Sequence, residues 1–477
     1  MAFDRNITLT SGNDNQSFPG NFDDKIKGMG GSDTIDAGDG NDEIFGDGEL
    51  FDFVFNDGND TLRGGNGTDI LHGGGGNDSL FGDAQSDTLF GDGGNDRLNG
   101  GSGADTMKGG GGNDVYVVDN VSDIVDDDLL FGGTDRVESS ISYSLGNARN
   151  VENLTLTGTG NINGTGDGGN NVITGNSGSN TLSGGGGNDT LNGGGGGDRL
   201  DGGSGSDTLR GEGGNDTLVI NSSSGTDSLI DGGADIDKVE SSISFSLNST
   251  VNVENLTLVG TSAINGTGNS GDNAITGNVA NNILSGGDGR DTLRGDFGND
   301  TLSGGNHDDN LNGGQGLDVL SGGGGADVLD GSLDRDRYDG GSENDILIYD
   351  PNDFVGASAG QYNGGTGIDT LRVNNVSTTL DFRTLNDTFI QNVEVLDMRV
   401  GTANSQAFLG FNDVFAMNGE HKLRIDGDIN DKVTVTDFGW DDTGQQQTIG
   451  GQVYDVYTNG QATMLIDADI QVTGSFL

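Results

Sequence analysis

The chain has 477 residues, among them 94 glycines, and its 76 acidic against 21 basic side chains leave a formal net charge of −55. With only 30% apolar residues it lies near the boundary of disorder, so it is not expected to fold without counterions. The charge argues against nucleic acid or an anionic membrane as partner. The lack of cysteine and the three scattered histidines, His72, His307 and His421, exclude disulfides, thiolate catalysis and an ordinary zinc site.

Residues 1–23 show no basic segment followed by an apolar one, so no Sec-type signal peptide is visible, and they are expected to form an N-terminal cap. No transmembrane segment is expected, since no apolar run approaches about 18 residues. From Asp24 an acidic residue returns almost every nine residues, followed two places later by a large apolar one. The block 24–116 carries Asp24, Asp33, Asp42, Asp60, Asp69, Asp78, Asp87, Asp96, Asp105 and Asp114, with Phe51 in the remaining slot. Its regular copies, such as Gly73-Gly74-Gly75-Gly76-Asn77-Asp78-Ser79-Leu80-Phe81, read G-G-x-G-x-D-x-U-x, where U is apolar.

Glycines at the first, second and fourth places (Gly64, Gly65, Gly67; Gly73, Gly74, Gly76; Gly184, Gly185, Gly187) are expected to supply φ > 0 and close approach, so that turn carbonyls converge. Those carbonyls and the sixth-place carboxylate offer only hard oxygen, which suits several Ca²⁺ ions better than zinc or copper. The x-U-x triplet fits a short strand whose central side chain points inward. Two repeats then close one coil, and stacked coils give an all-β fold: a parallel β-roll, or β-solenoid, with two sheets over a thin core.

Segment 117–170 loses glycine and gains alternation, as in Val137–Leu145 and Val151–Leu156, and is expected to be a spacer of strands. Block 171–218 follows, with Asp189, Asp198, Asp207 and Asp216 entered through Asn171 and Asn180. Spacer 219–272 repeats the first at an offset of 102 residues, with about two-thirds of the aligned residues identical, which favours one long solenoid. Block 273–375 enters through Asn273 and Asn282 and carries Asp291, Asp300, Asp309, Asp318, Asp327, Asp336 and Asp345, with a stray turn at Asp369. An amide lacks charge, so the Asn turns are expected to continue the coil without an ion. Fourth-place Gln85, His307, Asp334 and Glu343 mark turns expected to be weak.

From about Leu380 the nonapeptide stops, and 380–477 is expected to form a small C-terminal β domain, with Tyr454–Thr458 and Gln461–Ile466 joined by a two-residue Asn459-Gly460 turn. The nonapeptides resemble those of the repeats-in-toxin (RTX) family, in which ions sit between equivalent turns of successive coils. Leu423–Val433, Trp440 and the Tyr454–Ile466 hairpin resemble the C-terminal target domain of proteins exported by type I secretion. The resemblance implies calcium as the folding ligand and a type I secretion apparatus as partner. It also implies a secreted, extracellular location.

Rival motifs lack context. Gly356-Ala357-Ser358-Ala359-Gly360 matches a nucleophile elbow, yet turn sequence follows it where a helix is required. His72 is expected on a strand's outer face, His307 exposed in an imperfect turn and His421 near a hairpin. The cluster Leu50–Phe55 is expected to form an ion-free coil with buried aromatics, an exposed patch for self-association being the alternative. No segment remains for a catalytic domain, so no enzyme is expected. The expected function is a secreted calcium-binding β-roll with a structural or adhesive role at the cell surface or in the matrix, cell-surface glycan being one partner. The alternative is the secretion and folding part of a toxin or hydrolase.

Overall fold

The computed structural model describes residues 3–47, 58–127, 133–221, 227–233, 235–250, 252–349, 361–373, 379–381, 389–399, 406–409, 421–427 and 429–476. The chain divides into two compact units, one of Met1–Lys238 with Val251–Val253, the other of Val239–Thr250 with Glu254–Leu477. Among the described residues regular structure is β-strand with two 3-10 turns, and no helix is long and apolar enough to cross a membrane.

In the first unit successive strands fall alternately on two parallel sheets. Thr61–Asn66 pairs with Ser79–Ala84 on one sheet, and Ile70–Gly75 pairs with Thr88–Gly93 on the other. Partners such as Leu62 and Leu80, or Leu71 and Leu89, stand one coil apart, and all four are fully buried. The U residues thus form two apolar columns back to back, each fully buried Leu contributing about 1.5–3 kcal/mol of burial. Strands are longer than an x-U-x triplet because the ladder runs on through the first glycines, as at Gly65 opposite Asp83.

The second unit repeats this architecture. Thr292–Phe297, Asn310–Gln315 and Val328–Leu333 stack in parallel on one sheet, while Ile283–Asp288, Thr301–Asn306 and Val319–Gly324 stack on another. The duplicated spacers are structurally alike: Ser144 caps the 3-10 turn Leu145–Asn147, and Ser246, 102 residues on, caps Leu247–Ser249.

One expectation about the fold, the two-residue hairpin turn, needs correction. Thr34 pairs with Thr61 and Glu43 with Ile70, a step of 27 residues along the ladder, and the slot at Phe51 lies outside the described residues. The cluster Leu50–Phe55 itself lies outside the described residues, as do Gly356–Gly360. Strand pairing continues past residue 380: Val395 pairs in parallel with Thr370 and with Arg424, Arg424 with Leu465, and Lys432 with Gln406 and Gln471. The described C-terminal strands therefore extend the solenoid, with one antiparallel excursion, Gln452–Thr458 against Thr463–Asp467. That hairpin closes at Thr458 opposite Thr463, a four-residue loop. Asn459 Oδ1 accepts from the N–H groups of Gln461 and Ala462, so only Gly460 takes a positive φ, of 82°.

Candidate metal centres

At each turn the sixth-place Asp faces inward between coils. Its Oδ1 accepts the backbone N–H of the sixth-place residue one coil earlier: Asp78 from Asp60 at 2.7 Å, Asp96 from Asp78 at 2.7 Å, Asp114 from Asp96 at 2.7 Å. The same bond recurs in block 171–218 (Asp189 to Asp207, 2.8 Å) and in block 273–375 (Asp291 to Asp309, 2.7 Å). The other oxygen is left over. Oδ2 is buried and makes no hydrogen bond in each predicted Asp from Asp33 to Asp114, from Asp189 to Asp216 and from Asp291 to Asp327, and in Asp345 and Asp369. Asp336 is buried in the same position, its Oδ1 accepting from Asp318.

The free oxygen faces a cradle. A Cβ added to Gly73 would lie 2.3 Å from Asp78 Oδ2 and 2.8 Å from the Gly91 carbonyl oxygen, one coil on. At Gly193 the distances to Asp198 Oδ2 and the Gly211 oxygen are 2.5 and 2.5 Å, and at Gly295 those to Asp300 Oδ2 and the Gly313 oxygen are 2.3 and 2.4 Å. All but the 2.8 Å at Gly73 fall within the spacing of about 2.3–2.6 Å that Ca²⁺ keeps from its oxygens. Positive φ belongs to the second and fourth places, as at Gly65 (110°), Gly67 (151°), Gly74 (103°), Gly76 (117°), Gly185 (101°) and Gly187 (104°). First-place Gly64, Gly73 and Gly184 do not take it, contrary to expectation; they are glycine because a methyl would fill the cradle.

Burial without a counter-charge disfavours the carboxylate form. It pushes Asp60 up to about 8 and Asp69, Asp78, Asp87 and Asp96 to about 7, against the backbone N–H bond that holds each down. In the second unit Asp300, Asp309 and Asp345 rise to about 7 for the same reason. No group of three or more His, Asp or Glu side chains among the described residues could hold a metal. A cation in a turn therefore draws on a carboxylate and backbone carbonyls. That donor set is all oxygen, and it fits Ca²⁺.

Asp24 is the exception among the predicted ligands. Arg5 Nε donates to its Oδ1 at 2.6 Å and the guanidinium also pairs with Oδ2, so a side chain from the N-terminal segment replaces the cation. At Asp42 the first-place residue is Ala37, fully buried, whose methyl stands where other turns keep space. Asp369 is no stray: its Oδ1 accepts from Asp345 at 2.8 Å across a 24-residue coil.

The four Asn turns fill the gap differently. Asn180 Nδ2 donates to the Ile162 carbonyl at 2.6 Å and its Oδ1 accepts from Asn176 N–H at 2.8 Å, and Asn282 does the same with Ile264 and Asn278. Asn171 and Asn273 donate to the carbonyls of Glu152 and Glu254. In each Asn turn the amide nitrogen thus ties the turn to a carbonyl of the preceding coil.

Several rungs escape the nonapeptide pattern. Asp123, Asp135 and Asp237 accept from Asp105, Asp114 and Asp216, at 3.2, 2.7 and 2.8 Å. Glu152 and Glu394 accept from Asp135 and Asp369 at 2.8 and 2.9 Å. Their shared signal is an acid followed two places later by Val or Leu, which persists after the glycines have gone. Asn150, Asn252 and Asn392, with φ of 55°, 54° and 53°, precede Val-Glu-x-Leu in each case, and the Asn252 and Asn392 carbonyls close the cradles of Gly232 and Gly364. The weak turns do carry positive φ on non-glycine residues: Gln85 79°, His307 76°, Asp334 79°, Glu343 82°. His72 lies on the outer face, stacked between Phe45 and Phe90 at 4.9 and 4.5 Å, and His307 is exposed.

The family model of the RTX calcium-binding nonapeptide repeat matches residues 18–49, 56–89, 81–116, 90–125, 165–200, 192–229, 267–302, 285–320, 303–338 and 313–347, together more than half of the chain. No curated protein matches the sequence.

Proposed function

The chain belongs to the RTX calcium-binding nonapeptide repeat family, and from that premise we propose that it is a secreted, non-enzymatic solenoid assembled by extracellular Ca²⁺, with a structural or adhesive role outside the cell. Its route out is a type I secretion apparatus that reads the C-terminal segment. The observation that carries the reading is the repeated buried Oδ2 with no hydrogen bond, which leaves folding dependent on a cation supplied from solution. Far-UV circular dichroism tests it. The chain should lack β signal in chelator and gain it cooperatively between about 0.1 and 10 mM Ca²⁺, whereas Mg²⁺, which demands a tighter octahedral shell, should not substitute. A chain fully β-structured in excess EGTA would overturn the proposal.

An adhesive role has support in a cleft of about 590 Å³ on the first unit, lined by Phe90, Lys108 and Arg149 among others. Asp92, Asp126 and Asp127 also line it and Asp126 pairs with both cations, so an anionic glycan would bind beside the Phe90 ring by competing with Asp126 for Lys108 and Arg149. Retention on polyuronate resin, lost in Lys108→Ala/Arg149→Ala, is the expected result; equal retention of parent and variant would remove the support.

A further inference from the structure

In two cradles a second side-chain oxygen, besides that of the Asp, lies nearer the glycine than any carbonyl of the next coil. One coil beyond Gly109 the chain places Asp127 where a first-place glycine belongs, and one coil beyond Gly331 it places Tyr349. In these two repeats the U residue is tyrosine. A Cβ added to Gly109 would lie 2.0 Å from Asp114 Oδ2 and 2.3 Å from the Tyr116 hydroxyl; one added to Gly331 would lie 2.2 Å from Asp336 Oδ2 and 2.4 Å from the Tyr338 hydroxyl. The phenol oxygen therefore stands where the next coil's carbonyl oxygen stands elsewhere.

Each phenol is fixed there. Gly109 N–H donates to Tyr116 Oη at 2.8 Å, and Tyr116 in turn donates to Asp127 Oδ1 at 2.8 Å; Gly331 N–H donates to Tyr338 Oη at 3.1 Å, and the Tyr338 ring stacks on Tyr362 at 4.3 Å. Both rings are buried, Tyr116 fully. Asp114 Oδ2, 1% exposed as a residue and without a hydrogen bond, is aimed into the same cradle, and Asp127 Oδ2 is likewise buried and unbonded.

We propose that Tyr116 and Tyr338 are calcium ligands, each phenol oxygen taking beside the Asp carboxylate the part that a backbone carbonyl plays in the regular turns, where the glycine register breaks. The inference rests on the calcium reading of the turns. A neutral phenol oxygen is a fair exchange for a neutral carbonyl, since its proton is engaged by Asp127 at the first site and a lone pair remains for the ion. Leucine at U could not do this.

The test uses the full chain loaded with Tb³⁺ in place of Ca²⁺, excited through tyrosine, together with direct measurement of bound calcium. Tyr116→Phe and Tyr338→Phe keep the ring. Each should lower sensitised emission and bound calcium by about one ion per chain, and the double variant by about two. Tyr457→Phe, in the C-terminal hairpin, should change neither. Unchanged emission and stoichiometry in the double variant, or an added ion where the hydroxyl had been a plug, would overturn the proposal. If Tyr116→Phe does not fold, Asp127→Asn decides: it keeps the acceptor for the phenol but removes a charge, and emission equal to the parent's counts against the site. A parent chain that folds yet takes up no calcium would instead defeat the calcium reading itself.

Discussion

At the scale of a residue, each Asp does two separable jobs. Asp78 Oδ1 accepts the buried Asp60 N–H, while Oδ2 faces the cradle with no partner. Asp78→Asn keeps an acceptor and discards the charge. Asp78→Ala discards both and strands a buried N–H, at about 1–3 kcal/mol. The calcium midpoint of folding should therefore rise for Asn and rise further for Ala, with the slope against calcium concentration reduced in both. Asn180 behaves in the opposite sense. Its amide holds the Ile162 carbonyl at 2.6 Å, so Asn180→Ala is not the harmless change that an ion-free turn suggests: it should raise the midpoint while leaving the slope unchanged. Asn180→Asp should steepen the slope, because Gly175 already supplies a cradle facing residue 180 and the Gly193 carbonyl. Equal slopes for Asn180→Asp and parent would show that a carboxylate in this turn does not recruit an ion. Asp and Asn in the same slot were distinguishable in the sequence by charge alone. That the amide is itself a strut depends on where its two ends point, which only the coil geometry reveals.

At the scale of an element, a row of such carboxylates behaves as one titrating unit. Without cation, burial raises Asp60 to about 8 and Asp69, Asp78, Asp87 and Asp96 to about 7, above the ordinary value of 3.8 that they regain on unfolding. The folded row then binds more protons than the unfolded one, so protonation favours folding. That contribution is full below 3.8 and is lost as pH rises through about 7 to about 8. In EGTA the β signal should accordingly grow when pH falls from about 8 to about 5, and in calcium the midpoint should shift to higher concentration over the same range, as protons compete for the same oxygens. A chelated sample with one spectrum at both pH values would contradict the coupling. The rows were legible in the sequence because nine-residue spacing survives in three blocks. Their ends were not: Asp135, Asp237 and Glu394 sit outside the glycine pattern, and the ladder reaches them through coils stretched to 21, 24 or 25 residues. Spacing identifies a coil only while its length is constant. Once spacers lengthen it, only the acid-x-U triplet remains as a signal, and Val151–Leu156 was legible as strand but not as a rung.

For the whole molecule the decisive quantity is the charge of −55, which opposes any compact state until divalent cations offset it. Turns with affinities of about 10⁻⁴–10⁻³ M stay empty at cytosolic calcium and fill outside, so the chain should be unfolded and threadable inside and folded outside. The C-terminal segment has a double role on this view. It is expected to carry the export signal, yet Lys422–Asp426 also pairs with Val395–Asp397 and with Thr463–Asp467, so it covers the end of the ladder. Deleting Leu423–Leu477 should then have two effects that separate. In cells with a type I exporter the truncated chain should remain inside while the full chain is released. In vitro it should still fold in calcium, because the turns from Asp33 to Asp369 are intact, but with a tendency to associate through the uncovered Val395–Asp397 edge. Full-length chain released into calcium-free medium should be open to protease and become resistant when calcium is added. Export of the truncated chain at the parent's level would remove the signal from this segment and leave it only the structural role that its pairing already gives it.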